Sequence, residues 1–580
     1  MGRSRRAADD RTASFALLAA SLWVGYNGVE TSLLQSSTHP MSDKLTQEKE
    51  LLRDIASRPP VGRAFGYIKL TGPGLMQSAM TLGAGSAAAS VVAGASFGYK
   101  LLWVQPVAMF LGIMMFAALA NIVLTTKERP YKGFMRELSI ILVFLWALGT
   151  VMASVIWHFP QYGLAAGAAR SIVQEFAPTK PLVDDESQIT GEWKMVNGQK
   201  VEIQDNWKLT CDEKIEKRDW FGFGGVMIDK KTGKPEMTTQ FTTFGYAVSF
   251  GAGLLILLIN ATVVFNYGRG GVGIRIYEWF LRCMIGMVFL TFLLVVLLNV
   301  HRIEWLEMGK GFIGWYGIPG NDDPAEYAQT ITMVLGMLGA AVGINMTFMY
   351  GYSLLKKGWG PEHKTLAKWD LGMTMFLPFV VVTSLIMIGM TVSGIYDVNN
   401  DQGLRDIVRT GLQPLQAAAA LESDFISQRV ATVIFCLGLF GMTFGAISAH
   451  MTCCGFVMCE MLGLEHTKWN FRLFALTPSI GFFGVIVGLP LWFPIAASAV
   501  CLTMLPVAYL IFLIMNNKRS YIGDAVGKGL KREIFNVLLV IALLMASIGA
   551  YIQVKARVYD VFFPPKVQQI AEEPVIEEGR

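Results

Sequence analysis

The residues best suited to binding a solute are small and hydroxylated ones near the start of the chain. Thr81, Gly83, Ala84, Gly85 and Ser86 lie close together inside a long apolar segment, with only Leu82 between them. Glycine disfavours a helix by about 1 kcal/mol relative to alanine, so paired glycines at mid-helix favour a break. A break frees main-chain N–H and C=O groups. At membrane depth this is tolerated where those groups line a cavity or contact a bound solute.

A second apolar segment carries a related pattern. Gly336, Gly339 and Gly343 precede Asn345 and Thr347, so two polar side chains follow glycines in the centre of an apolar run. This pattern predicts a second unwound stretch. In both segments the alternative is close helix packing, because small residues let two helices approach without unwinding.

Two other groups of side chains could take part in chemistry. His158 lies deep in an apolar segment, where an ionisable side chain is costly and therefore a functional hypothesis, and imidazole suits a proton relay. The alternative is a hydrogen-bonded structural histidine. His450, Cys453 and Cys454 share one helix face through their i, i+3, i+4 spacing and could hold a soft metal. Buried cysteines, however, also pack as small hydrophobic residues.

Methionine is abundant, with 30 residues in the chain. Met76, Met80, Met346 and Met349 lie in or beside the two glycine-rich segments, and thioether ligands suit copper. Methionine also fills gaps between packed helices, and that interpretation explains these four residues without any metal.

An unusually apolar chain must position these groups. Of its 580 residues, 53% are hydrophobic and 16% are charged, whereas soluble domains carry about 25% charged residues. The charges lie between apolar runs of about 20 residues, the length that crosses a bilayer. The composition predicts an all-α polytopic membrane protein. The sequence has no basic stripe or zinc-finger spacing, so no nucleic-acid partner is expected.

Eleven membrane-spanning helices are predicted from the apolar runs. Their ranges are 72–97, 101–125, 137–172, 244–266, 276–299, 328–354, 370–395, 429–461, 473–489, 493–515 and 534–554. The first and sixth predicted spans carry the two glycine patterns. A separation of five is expected for a 5+5 inverted repeat in which the first helix of each half is broken. The fold predicted is therefore a 5+5 repeat followed by an eleventh helix.

Lysine and arginine predict the orientation of these spans. Every loop on one side of the membrane is basic, and those loops hold far more Lys and Arg than the loops opposite. The basic side is expected to be cytoplasmic. Residues 1–68 are then a cytoplasmic N-terminal region, in which 1–40 form a start-site extension or a disordered arm, and 556–580 form a tail on the outer side.

One polar insert, 177–242, separates three predicted helices in 69–176 from eight in 243–555. Asn197-Gly198 stands between two short alternating runs, which predicts a type I′ β-hairpin. We expect a small β-rich extracytoplasmic cap that serves as a packing lid without chemistry.

Several short segments stand out by their order and spacing: Gly72-Pro73-Gly74, the run from Ala93 to Trp103, Gly271 to Arg275 with Glu278, Gly336 to Ala340, and Leu505-Pro506. Through these residues the chain resembles the Nramp (natural resistance-associated macrophage protein) family of proton-coupled divalent metal transporters. This resemblance spans roughly residues 65–555 apart from the insert. The resemblance implies a LeuT-type fold and a secondary transporter.

The family's ligand positions are substituted here. Its Asp-Pro-Gly-Asn motif falls on residues 83–86 (Gly-Ala-Gly-Ser), its metal-binding methionine on Gly343, and a nearby histidine on Asn345. Only the carbonyl expected from Ala340 needs no particular side chain. A site without carboxylate, thioether or imidazole holds Mn²⁺ or Fe²⁺ poorly, and no charge offsets the dehydration of a divalent ion.

The same resemblance places the family's proton-pathway acids near His158 and Gln161. A coupling proton or ion would therefore involve these two residues.

The cargo remains open between several classes. The family implies a divalent metal ion. Free main-chain N–H groups at a helix break favour a small organic or anionic solute instead, and a hydrated Mg²⁺ held by carbonyls and hydroxyls is a third choice. A non-transporting Nramp-like receptor or scaffold is a further alternative.

The remaining expectations concern class and location. The sequence has no nucleotide motif and no paired-carboxylate or His-rich constellation in the membrane, so we expect no enzyme and no cofactor. No metal-ligand set is assigned. The expected partners are the lipid bilayer, the solute or metal ion, and a coupling ion. The expected location is a bacterial plasma membrane with the N-terminus in the cytoplasm.

Overall fold

The computed structural model forms two compact units, Met1–Leu70 and Thr71–Arg580. It describes residues 50–68, 70–176, 243–267, 271–320, 324–392, 427–485, 497–498 and 500–555, together with five short strands between 193 and 237. In the first unit, a helix over 50–57 is followed by α1 (Pro60–Ile68).

The second unit is almost entirely helical in its described parts. Its α-helices are α2 (Pro73–Thr81), α3 (Ala84–Phe97), α4 (Val104–Thr126), α5 (Pro130–Glu137), α6 (Ile140–Phe176), α7 (Thr243–Tyr267), α8 (Gly271–Leu298), α9 (Trp305–Phe312), α10 (Pro324–Ala341), α11 (Ile344–Lys356), α12 (Lys364–Asp370), α13 (Leu377–Val392), α14 (Gln428–Met461), α15 (Lys468–Ala475), α16 (Leu505–Asn517), α17 (Arg519–Ile522) and α18 (Leu530–Val554). A π-helical turn, Leu371–Phe376, joins α12 to α13. Short 3₁₀ helices cover Val300–Arg302, Pro361–His363, Thr477–Val485 and Gly523–Val526.

Nine helices of the described residues are long and apolar enough to cross a membrane, and ten if α2 and α3 are counted as one bent span. The prediction of a mostly helical, polytopic membrane protein is confirmed. The count of eleven stays a prediction. In the range predicted as the ninth span, 473–489, the structure has the end of α15 and then the 3₁₀ helix Thr477–Val485.

Helix α14 lies at the centre of the packing, against α6, α8 and α15, while α13 packs on α3 and α8. Close approach requires small residues at these crossings. A Cβ on Gly94 of α3 would lie 2.5 Å from the carbonyl oxygen of Met387 in α13. Similarly, Gly481 and Gly484 let the 3₁₀ helix meet the main chain of α6 at His158 and Phe159. The path of α6, which carries His158 and Gln161, is fixed by these contacts.

Five strands fall within the predicted insert. They are β1 (Trp193–Val196), β2 (Gln199–Glu202), β3 (Leu209–Cys211), β4 (Val226–Ile228) and β5 (Pro235–Met237). β1 and β2 pair antiparallel, whereas β4 pairs with β3 in parallel and with β5 antiparallel. The predicted turn residues 197–198 lie outside the described residues, as does most of 177–242. The β-rich cap stays a prediction.

Candidate functional site

The first glycine-rich segment is broken where its sequence predicts. α2 ends at Thr81 and α3 begins at Ala84, and their axes differ by 50°. Gly83 between them has an extended backbone, with φ −103° and ψ −169°. Because a helix leaves its first N–H groups without intrahelical acceptors, the start of α3 presents main-chain donors at the break.

The second glycine-rich segment is also interrupted. α10 ends at Ala341 and α11 begins at Ile344, with Gly343 extended at φ −108° and ψ 154°. The main-chain N–H of Gly343 lies 3.2 Å from Sδ of Met346, in the first turn of α11. Two helices are therefore interrupted in the described structure, and each interruption is preceded or followed by buried polar residues.

A small cavity connects the two breaks. Its lining residues come from six helices (α2, α3, α6, α10, α11 and α14) and the second break, namely Met80, Thr81, Gly85, Ser86, Trp157, Gln161, Gly339, Ala340, Gly343, Asn345, Met346 and His450. The space open to the centre of a water-sized sphere is about 10 Å³. A cavity of that size holds about one water molecule, so it matches a single small ion.

Gln161 ties α6 to the first break. Its Oε1 accepts the main-chain N–H of Ala84 at 3.0 Å. A Cβ placed on Gly83 would lie 2.6 Å from Nε2 of the same glutamine. Any side chain at position 83 would therefore disturb this contact. Ser86 lines the cavity with its hydroxyl bonded to the carbonyl of Gly83 at 3.1 Å.

Asn345 is the hub of the second break. Its Nδ2 lies 2.9 Å from Nδ1 of His450 and 3.3 Å from the hydroxyl of Ser154, while its Oδ1 accepts the main-chain N–H of Met346 at 3.0 Å. Cys453 donates its thiol to the carbonyl of Asn345 at 3.1 Å. These bonds join α11, α14 and α6 around one buried amide.

His158 lies next to His450 and does not line the cavity. It is fully buried, its Nδ1 lies 3.0 Å from the carbonyl of Ser154, and its ring centroid is 5.5 Å from that of His450. Its Nε2 has no hydrogen-bond partner among the described residues. His158 and His450 therefore form an edge-to-face pair of imidazoles beside the cavity.

The predicted site residues thus fall into those that line the cavity, those that form the first break, and Thr347. Thr81, Gly85, Ser86, Gln161, Ala340, Gly343 and Asn345 line the cavity. Gly83 and Ala84 form the adjacent break. Thr347 is not among the lining residues: its hydroxyl donates to the carbonyl of Ile344 at 2.5 Å and accepts from Nε1 of Trp146 at 2.8 Å. Thr347 is therefore a helix-anchoring residue in this structure.

The cavity also includes residues that were not predicted to line it. Met80, Met346, Trp157 and His450 line it, so a thioether and an imidazole are present after all. The expectation that the site lacks both groups is corrected, because it considered only the family's own ligand positions. Among the residues that the structure describes, no carboxylate lines the cavity. Within the described ranges, no group of three or more His, Cys, Asp and Glu residues is placed to hold a metal ion.

A buried carboxylate holds the N-terminal end of α2. Asp370, at the end of α12, accepts the main-chain N–H of Gly72 at 3.0 Å and of Gly74 at 2.6 Å, and Thr374 donates its hydroxyl to it at 3.2 Å. Nearby, Lys357 pairs with Glu278 at 2.6 Å. Hydrogen bonds to a carboxylate at a helix N-terminus are charge-assisted and strong.

Ion pairs join the loops at the basic end of the spans. Arg136 donates to Glu128 at 2.7 and 3.0 Å, which holds the pKa of Glu128 below its usual value. Lys518, which lies 2.9 Å from Glu137, together with Arg136, lowers the pKa of Glu137. The two carboxylates in turn raise the pKa of Arg136. Burial raises the pKa of Tyr521, which donates to Glu128, to about 12.

The fold and the paired breaks define a polytopic membrane protein built around two interrupted helices. The family model described as natural resistance-associated macrophage protein-like matches residues 241–553. The chain belongs to the Nramp family, and the predicted family is confirmed. The match covers the second broken helix and begins after the first.

Solved structures with the same fold include a variant of the manganese transporter of Eremococcus coleocola. It has a TM-score of 0.58 at 14% identity, over 87% of this chain and 90% of that chain. The same transporter in complex with an aromatic bis-isothiourea substituted compound gives a TM-score of 0.56 at 15% identity, over 85% and 87%. At this identity the likeness concerns the fold alone. Comparison with curated proteins gives no match.

Proposed function

We propose that this chain is a secondary transporter that carries a metal cation through the cavity between the two helix breaks. The observation that carries the proposal is the cavity itself. It is buried, it connects both interruptions, and it has room for about one water-sized species. Transporters of this architecture bind their cargo where discontinuous helices meet.

The donors around the cavity favour a cation. Met80 and Met346 offer thioether sulfurs, Asn345 an amide oxygen, and Ala340 a main-chain carbonyl, and His450 offers an imidazole nitrogen when its contact with Asn345 opens. Thioether and imidazole ligands suit soft and borderline metals better than hard ones. Family membership and the name of the Eremococcus coleocola protein point to the same cargo class.

None of these donor groups carries a charge, and this determines which metal ions the site is expected to prefer. Without a carboxylate in the lining, nothing offsets the dehydration of a hard divalent ion. We expect Mn²⁺ to bind weakly and a softer ion such as Cd²⁺ to bind better.

A small anionic solute is the second candidate. The main-chain N–H groups of Gly85 and Ser86 lie in the first turn of α3, where the helix dipole favours negative charge. The size of the cavity favours the metal ion, because an organic anion would need the surrounding helices to separate. A non-transporting receptor remains the alternative in which no cargo crosses.

The finer features belong to the same proposal. We propose a LeuT-type 5+5 repeat with an eleventh helix, a β-rich outer insert at 177–242, and the domain division given above. A coupling proton would use the imidazole pair of His158 and His450, with Gln161 at the break. The N-terminus would be cytoplasmic, in a bacterial plasma membrane. No enzymatic step is part of the proposal.

Flux measurements test the function directly. The purified chain is reconstituted in liposomes, and uptake of Cd²⁺, Mn²⁺, Mg²⁺ and a panel of small carboxylates is followed with and without a proton gradient. We expect uptake of Cd²⁺ to exceed that of Mn²⁺, with no uptake of carboxylates. Carboxylate uptake without metal uptake would establish the anionic alternative. Absence of flux for every solute, from protein that melts cooperatively, would favour the receptor.

A further inference from the structure

A second cavity, unrelated to the helix breaks, lies between α4, α12, α16 and α18. Its volume is about 380 Å³, within the range of roughly 300–1,000 Å³ usual for small-molecule sites. One wall is apolar and consists of Ala117, Ala120, Leu124, Leu371 and Phe535. These residues belong to helices long enough to cross the membrane. The wall therefore lies along the apolar part of the spans.

The rim of this cavity is strongly basic. Lys364 and Lys368 come from α12, and Lys528, Lys531 and Arg532 come from the start of α18 and the turn before it. Within the ranges that the structure describes, no ion pair joins any of these five side chains to a carboxylate. Five cations without an anionic partner repel one another, and bound negative charge would relieve that repulsion.

The floor of the cavity is held in place by asparagines. Nδ2 of Asn121 in α4 donates to Oδ1 of Asn516 in α16 at 2.8 Å and to the carbonyl of Ala525 at 3.0 Å. Arg532 donates to Oδ1 of Asn517 at 3.2 Å. These bonds connect α4, α16 and the segment before α18. The shape of the cavity is therefore formed by the fold and does not depend on a ligand.

We propose that this cavity is a binding site for one anionic phospholipid of the leaflet on the basic side of the protein. The phosphate would sit among the five basic side chains, and an acyl chain would lie along the apolar wall. Basic cavities between spanning helices recognise anionic headgroups in this way. A soluble phosphate would satisfy the rim and leave the apolar wall in water, so the combination of both surfaces favours a lipid.

Lipid retention by the purified chain provides the test. Phosphatidylglycerol and phosphatidylcholine are titrated into delipidated protein in neutral detergent, and bound lipid is counted by native mass spectrometry. The test variant is Lys368→Gln with Lys531→Gln. The control is Lys127→Gln with Lys132→Gln, which removes two exposed lysines, one just after α4 and one in α5, that do not line the cavity. We expect phosphatidylglycerol retention to fall roughly tenfold in the test variant only.

Two further measurements separate a lost site from a misfolded protein. A Lys368→Arg, Lys531→Arg variant keeps the charge and is expected to retain phosphatidylglycerol as the wild type does. In the wild type, the rise in melting temperature produced by phosphatidylglycerol should shrink as NaCl is raised. Equal retention in test and control variants would overturn the proposal. Equal binding of phosphatidylcholine, or the same stabilisation by glycerol phosphate, would also overturn it.

Discussion

The side-chain amide nitrogen of Asn345 lies 2.9 Å from Nδ1 of His450. The amide oxygen of Asn345 accepts the main-chain N–H of Met346, so the orientation of the amide is fixed and its nitrogen faces the ring. An amide nitrogen can only donate, so Nδ1 of His450 must accept and the ring proton belongs on Nε2. The imidazole beside the cavity is therefore neutral while this contact is formed.

Replacement of the hub amide should change metal selectivity. Asn345→Asp keeps the side-chain shape and adds a negative charge beside the cavity, which offsets the dehydration of a divalent cation. We expect the affinity for Mn²⁺, measured by titration calorimetry, to rise at least roughly tenfold. Asn536→Asp makes the same chemical change away from the cavity and should leave Mn²⁺ binding as it was. An unchanged affinity in Asn345→Asp would argue against a cation site here.

The bond between Gln161 and Ala84 should affect both stability and cargo binding. Gln161→Leu leaves the N–H of Ala84 without its acceptor, which costs about 1–3 kcal/mol of unfolding free energy, and disturbs the break. We expect a lower melting temperature and a weaker cargo affinity. Gln105→Leu removes another buried glutamine, one that donates to Ser90 away from the cavity. That variant should lose stability while binding cargo normally; a matching loss of affinity would contradict the assignment.

The extended backbone at Gly83 leaves no room for a side chain. Its Cβ would meet Nε2 of Gln161 at 2.6 Å and Cβ of Ala446 at 3.1 Å. We expect Gly83→Ala to reduce flux in liposomes and Gly83→Leu to abolish it, with Gly343→Leu behaving alike. Gly286→Leu, in α8, is the control because nothing lies within 4 Å of a Cβ there. Normal flux in both Gly83→Leu and Gly343→Leu would remove the transport path from the breaks.

The thioether of Met346 should contribute to the preference for soft metals. Met346→Leu keeps the volume but removes the sulfur that faces the cavity, so Cd²⁺ binding should weaken more than Mn²⁺ binding. Met349→Leu alters a buried methionine of the same helix that does not line the cavity, and it should leave both affinities unchanged. If both variants weakened Cd²⁺ equally, the effect would reflect helix packing rather than a ligand.

The loop ion pairs predict a particular pH dependence of stability. The pKa values of Glu128 and Glu137 are lowered in the folded state, so their stabilisation is present above the unfolded value of about 4.3. It is lost as pH falls through the lower folded values. We expect melting temperature to drop below about pH 4.3 in the wild type and to drop less in Arg136→Gln. Identical pH curves would show that Arg136 does not shift these carboxylates.

Much of the fold follows from local composition. Apolar runs and charge clusters specify most spans, because each run has to be long enough to cross the membrane. The two breaks were predictable because glycine clusters carry their own preference against helix. The 3₁₀ helix Thr477–Val485 was not predictable as such. Its conformation depends on contacts of Gly481 and Gly484 with the main chain of α6.

The site was only partly predictable for a similar reason. Asn345 could be placed at the second break from its neighbouring glycines, whereas nothing in the sequence indicated that Gln161 contacts Ala84 at the first. His450 lies 105 positions from Asn345 along the chain, and no local pattern links them. Thr347 follows the second break closely in sequence, yet the first turn of α11 directs its hydroxyl to Trp146. Which face of a helix meets a cavity is decided by its neighbours, and a single sequence does not contain that information directly.

The carboxylate of Asp370 has a mechanical consequence for the first half-helix. Two main-chain N–H groups at the beginning of α2 are bound to it, and each charge-assisted bond contributes about 1.5–3 kcal/mol. A rotation of α2 about the break at Gly83 would therefore either break both hydrogen bonds or move α12 together with α2. These two bonds couple any movement of the first half-helix to the helix that carries Asp370.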